Sequence, residues 1–182
     1  MAVHGIGMAD ALLGLDGFRM LEVTEGEGEL IVRVETVDDV VACSGCGQCA
    51  ESQVRVDRHL RDVPCFGRPV RLVWRKRRWR CRGRGCPART WTETSAAVSA
   101  RAVLTRRCGW EMCRQVGAHA RPVAQLACEF GVEWWTVMNA VVEHGTPLVE
   151  DPDRVGARHH VGVGRDLASQ GQPAPHPPPY VT

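Results

Sequence analysis

The chain has 182 residues, of which 44% are hydrophobic and 24% charged, enough for one ordinary domain or two small ones. No apolar run approaches the ~20 residues of a membrane span, and the opening MAVHGIGMADALLGLDGF lacks a basic stretch followed by an apolar core. Membrane and secreted classes are thereby set aside, and a cytoplasmic protein is expected. Nine cysteines, an odd count without a secretion signal, argue against a disulfide scaffold and for thiols used as metal ligands.

The net charge of +2 hides a segregation: residues 1–57 carry three arginines against eleven acidic side chains, whereas 58–107 carry fifteen basic against two acidic. A concentrated positive segment is the footprint of a polyanion partner. Twenty-two of the 23 basic residues are arginine, a bias that suits bidentate phosphate contact and that a GC-rich genome would equally produce.

Two β-prone runs, 18–23 and 29–37, flank Glu25-Gly26-Glu27-Gly28, which is turn chemistry, and predict a hairpin. A second β-rich region follows, with runs 53–60 and 69–80 separated by Pro64-Cys65-Phe66-Gly67, then a short run 90–93. From Ala96 to about His119, Leu104, Cys108, Met112 and Val116 recur every four residues and predict a helix of about six turns. Val123, Leu126, Ala127 and Phe130 mark a second helix, opened near Pro122 and closed by Gly131. Glu133 to about Glu143 is a third amphipathic segment, ended by Gly145 and Pro147. The Pro-rich SQGQPAPHPPP cannot build a core, so residues 150–182 are expected to be a disordered tail. The fold class expected is α+β: a zinc-ribbon-like β domain over 1–94, a three-helix domain over 95–149, and the tail.

Cys43-Ser-Gly-Cys46 and Cys81-Arg-Gly-Arg-Gly-Cys86 are short-spaced pairs on Gly-containing knuckles separated by β sequence, which is zinc-ribbon spacing. Four thiolates would close a tetrahedral Zn2+ site with no position for water, making the metal structural. Cys46-Gly-Gln-Cys49 has the same spacing, so Cys49 stays open as an exchange for Cys43, and Cys65 is a further alternative. Cys108, Cys113 and Cys128 lie singly in helical sequence and read as core or surface thiols. His59 reads as a strand histidine.

In Arg75, Lys76, Arg77, Arg78, Trp79 and Arg80 the cations fall on both parities of a strand, so the stretch is expected to face solvent or an anion. Phosphate contact would make binding salt-dependent. Trp74, Trp79 and Trp91 suit a small core better than base stacking. Ala127, Gly131 and Val137 form the A-x3-G-x5-V spacing of a helix-turn-helix, which would turn Glu133, Trp135, Thr136 and Asn139 toward a major groove.

The order hairpin, Cys43-x2-Cys46, LRDVPCFGRPVRLVWRKRRWRC (60–81), Cys86-Pro87, Thr90-Trp91-Thr92-Glu93, then FGVEWWTVMNAV (130–141), resembles the N-terminal half of transposases of the ISL-three insertion-sequence family over roughly residues 15–163. The resemblance implies recognition of terminal inverted repeats in double-stranded DNA, with the intact transposase or a homo-oligomer as protein partner and a nucleoid-associated location. In the family an RNase H-like domain with metal-binding carboxylates follows. Here Gly162-Val163-Gly164-Arg165 places Gly164 where the first of those carboxylates would stand, and Asp166 is a poor substitute. The expectation is therefore a truncated transposase that binds DNA, with no small-molecule substrate and no catalysis of its own. A stand-alone regulator that competes with the intact enzyme, a decayed gene product and a zinc RNA-binding module are the alternatives.

Overall fold

The computed structural model describes residues 10, 13–38 and 40–151. The expected tail beyond Asp151, with Gly164 and Asp166, lies outside them. The elements run β1 (Phe18–Glu25), β2 (Leu30–Thr36), β3 (Glu51–Cys65), β4 (Arg68–Arg80), β5 (Thr90–Thr92), α1 (Arg106–Gly117), α2 (Val123–Phe130) and α3 (Trp134–Glu150). The mixed α+β class is as expected.

The first hairpin closes where Gly26 N–H donates to the Glu29 carbonyl at 2.9 Å. The second turns on two residues, Phe66 at φ 53° and Gly67 at φ 73°, both left-handed as a tight hairpin between twisted strands requires. The strand order is β1-β2-β4-β3, with β5 also on β4. β2 runs parallel to β4 from Leu30↔Val70 to Val34↔Trp74, and β5 pairs antiparallel with β4 over Arg78 to Arg80. β3 occupies the other edge of β4 along nearly its whole length, so β2 and β5 share one edge in succession.

Alternation decides the two faces. Leu30, Val32, Val34, Leu60, Val70, Leu72 and Trp74 line one face and bury with Leu15, Phe18 and Val98, Phe18 meeting Trp74 edge-on at 5.3 Å. The opposite face over the same stretch is a lattice of charges, with Arg61 and Arg71 both on Glu29 and Arg33 between Glu22 and Asp57. A second apolar cluster joins the helices through Cys108, Met112, Leu126, Phe130, Val137 and Ala140, with Val63 of β3 packed against it.

The first helix differs from expectation. It begins at Arg106, not near Ala96, because residues 97–105 are drawn onto the sheet. Arg61 N–H donates to the Val103 carbonyl at 2.8 Å, Thr105 N–H to the Arg61 carbonyl at 3.0 Å, and Leu104 forms a parallel bridge with Arg61. Ala97 and Val98 pack on the sheet core. These backbone bonds and buried contacts outweigh the weak helical preference of the alanines. Thr105 then caps α1, accepting from Cys108 N–H at 3.2 Å.

That cap is also a hub. Asp62, 1% exposed on β3, accepts from the Thr105 hydroxyl at 2.6 Å and from Arg107 Nε at 2.9 Å, and a second Arg107 nitrogen forms an ion pair with it. Arg107 in turn donates to the Leu13 and Gly14 carbonyls at 2.6 and 2.7 Å. One buried carboxylate thus ties strand, cap and N-terminal segment together. Asp62→Ala should lower stability by about 3 kcal/mol, the lower end for a broken buried pair because the Arg107 side chain is 33% exposed. Urea unfolding measures this, and zinc content should be unchanged.

Candidate functional site

The pairing Glu51↔Arg80 sets the start of β3 beside the end of β4. The knuckle at 43–46 lies just before Glu51 and the knuckle at 81–86 just after Arg80, so this register brings both to one end of the sheet. The sulfurs of Cys43, Cys46, Cys81 and Cys86 all lie within 4.8 Å of one another, with Cys43 to Cys86 at 3.7 Å and Cys46 to Cys81 at 3.4 Å. A tetrahedron with Zn–S near 2.3 Å has edges of about 3.8 Å, so the donor set fits the ion in number, type and spacing. Among the described residues these four cysteines are the group that gathers; Cys49 and Cys65 stand outside it, both exposed.

Local backbone makes the cage. Gly47 N–H donates to the Cys43 carbonyl at 2.8 Å with Gly47 at φ 71°, a conformation that costs a side-chain-bearing residue about 1–2 kcal/mol. A Cβ on Gly83 would stand 3.2 Å from the Cys46 sulfur and 3.4 Å from that of Cys81, the space the ligands need. Gly83 N–H donates to Cys81 Sγ at 3.2 Å.

The backbone amide of Gly45 draws the Cys43 thiol down to about 7. At Cys81 the Gly83 amide also favours the thiolate, but desolvation and the Cys46 and Cys43 thiols prevail and push it up to about 12. Cys86 is likewise raised against the pull of the Ala88 amide, by desolvation and the Cys43 thiol. Four thiols this close resist ionising together, and a divalent cation removes that resistance. Elsewhere, burial pushes the Cys108 thiol up, leaving it a protonated core group, and Cys113 is buried while Cys128 is exposed.

The cationic strand does not behave as one surface. Arg75, Arg78 and Arg80 are exposed and Lys76 half-buried, its ammonium 4.6 Å from the Trp74 ring centroid. Arg77 departs from the expectation that the whole stretch faces outward: it is 2% exposed. It sits where β2 has ended and β5 has not begun. Its guanidinium donates to the Thr36 and Asp38 carbonyls, both at 2.5 Å, and the Arg77 backbone N–H donates to Glu93 Oε1 at 2.8 Å. Thr36 Oγ1 donates to the other Glu93 oxygen at 2.8 Å, completing a buried seam. The partners come from the end of β2, the linker after it and the residue after β5, all remote in sequence, which is why strand parity alone misassigned this arginine.

Trp74 and Trp79 are buried, and Trp91 half-buried, as expected of core aromatics. Lys76, Arg78 and Arg80 share the parity of Trp74 but extend beyond the apolar core, next to the exposed Val54 and Val56 of β3. Arg84 and Arg89, outside the expected set, are also exposed and, like Arg75 and Arg80, make no side-chain hydrogen bond or ion pair among the described residues.

The α2–α3 turn is tight. Gly131 takes φ 64°, Val132 N–H donates to the Ala127 carbonyl at 2.9 Å, and Ala127 and Val137 are buried between the helices. Trp135, 70% exposed, stands edge-on to Trp134 at 4.7 Å. Glu133 and Asn139 are exposed and Thr136 half-buried on the same outward side.

Residues 39–86 match a zinc-ribbon family model described as the zinc-finger of transposase IS204/IS1001/IS1096/IS1165. This agrees with the resemblance read from the residues for the zinc ribbon, and the matched segment contains Cys43, Cys46, Cys81 and Cys86. No match is found among curated proteins or solved structures. The fit of the donor set and the zinc-ribbon match together make the centre a structural Zn2+ site. Among the described residues no helix is long and apolar enough to cross a membrane.

Because Cys81 and Cys86 hold their protons at neutral pH without metal, zinc binding displaces them. Zinc affinity should therefore rise with pH by roughly tenfold per unit for each proton displaced, and fall on acidification. Chelator competition at several pH values measures the slope. Cys81→Ser should release zinc and raise hydrogen exchange over residues 40–52 and 80–93, while the cores around Trp74 and Met112 keep their protection.

Proposed function

We infer that the protein is the DNA-binding part of a transposase of the matched kind, holding duplex DNA at terminal inverted repeats. The observation that carries this reading is the four-cysteine centre within the matched segment 39–86, set at one end of a sheet whose adjoining surface is cationic. On this reading zinc does no chemistry; it fixes the two knuckles so that Lys76, Arg78 and Arg80 on one face of β4 meet phosphates in a constant arrangement, with Arg75 on the other face. Arg77 contributes by holding the seam beneath them.

The helices supply the second part. Ala127, Gly131 and Val137 at helix-turn-helix spacing, with a left-handed glycine and a buried valine, support reading α2 and α3 as that motif. α3 would then enter the major groove with Thr136 and Asn139 toward base edges and Glu133 and Trp135 at its entrance. Asparagine in this role pairs bidentately with adenine.

Binding to duplexes carrying the inverted repeats, scrambled duplexes and RNA of equal length, measured across salt concentrations, tests the proposal. The repeats should bind tightest. Arg78→Ala with Arg80→Ala should weaken every duplex alike and flatten the salt slope by about two units, whereas Asn139→Ala should cost about 1–3 kcal/mol on the repeats and little on scrambled DNA. Equal affinity of the wild-type protein for RNA, or no preference for the repeats, would refute the reading.

A further inference from the structure

Arg101, in the segment before α1, and Arg106, the first residue of α1, are two arginines beside α3 that belong to no strand. A cavity of about 240 Å3 separates this segment from α3, and its wall includes Arg101, Arg106, Thr136, Asn139, Glu143 and His144. Both arginines are exposed, and neither side chain makes a hydrogen bond or ion pair among the described residues. Their neighbour Arg107 contrasts with them, being engaged by Asp62, Leu13 and Gly14.

Arg101 is notable for its backbone. It stands at φ 62°, a left-handed conformation in which glycine or asparagine is at ease and a long side chain is not. A side chain is carried here against the backbone's preference, and it is an unneutralised cation. Such outliers point from geometry to function.

The segment is also fixed to the ribbon. Arg58 donates to the Ala102 carbonyl at 2.7 Å, and Arg58 pairs with Trp74 on the face that continues to Lys76, Arg78 and Arg80. The cavity-wall arginines, the outward side of α3 and the cationic end of β4 are therefore held in one compact unit.

We propose that Arg101 and Arg106 bind phosphates of the DNA strand flanking the groove that α3 enters, so that one duplex is held by helices and ribbon together. The inference rests on the DNA-binding reading above. Glu143, the acidic side chain of the cavity wall, repels a phosphate placed deep against α3, so the contacts lie at the outer rim where the two guanidiniums stand. Thr136 and Asn139 across the cavity are left free for base edges.

The test compares Arg101→Ala/Arg106→Ala with Arg33→Ala/Arg114→Ala, a control that removes the same charge from residues already paired with acidic neighbours. With duplex DNA of defined sequence, the first variant should lose affinity on every sequence and flatten the salt slope by about two units, one for each phosphate released. The control should leave the slope unchanged. Arg101→Gly, which suits the left-handed backbone, should bind more weakly with undiminished thermal stability and zinc content, separating contact from folding. If wild-type protein binds duplex DNA and the Arg101/Arg106 variant matches it in affinity and slope, this inference alone fails. If wild-type protein binds no duplex, the reading beneath it fails as well.

Discussion

The rest of the structure depends on β4 serving two neighbours along one edge. Over Val70 to Trp74 it pairs with β2 and contributes to an apolar core; over Arg78 to Arg80 it pairs with β5 and carries a zinc knuckle. A strand that changes partners leaves backbone groups exposed at the changeover, and Glu93 and Arg77 fill that gap from both sides. β4 stays paired with β3 through the changeover, and the pairing Glu51↔Arg80 at its end is what puts four sulfurs around one point. Metal and core stabilise opposite ends of the same pair of strands.

This division explains why a chain with a short apolar inventory at the zinc end still folds there. Val54 and Val56 are exposed, and the buried groups of that end are Trp79, Cys43 and the Arg77–Glu93 seam. Buried area is small, so the free energy of metal coordination replaces it. At the other end Trp74, Leu72 and Leu60 need no metal. The helices attach through Asp62 and Val63 of β3, nearer the apolar end, which keeps them apart from the consequences of metal loss.

Much of this was legible in the sequence because it is local. The C-x2-C and C-x4-C knuckles, the Gly-rich turn before Leu30, the alternation through β4 and the glycine at 131 each declare their conformation within a few residues. What was not legible depends on residues far apart. The parallel pairing of β2 with β4 leaves no mark on either strand. Arg77 looked like its neighbours until the carbonyls of Thr36 and Asp38 were brought over it. Residues 96–105 have helical composition, yet the edge of β3 at Arg61 captures them, and composition could not weigh that capture. Exposed Arg101 and Arg106 belong to no run and become conspicuous only beside α3.

The capture of residues 97–105 by the sheet has a mechanical consequence. Two reading elements joined by a free linker can each find their own contacts along a duplex, whatever the distance between them. Here the connection is hydrogen-bonded to β3 and capped directly into α1, so ribbon and helices have no slack. On the DNA-binding reading, such a body senses helical phase: shifting one contact site by about five base pairs, half a turn, would carry it to the far side of the duplex. The spacing between the two contacted stretches would then be as much a part of the recognised site as the bases within them.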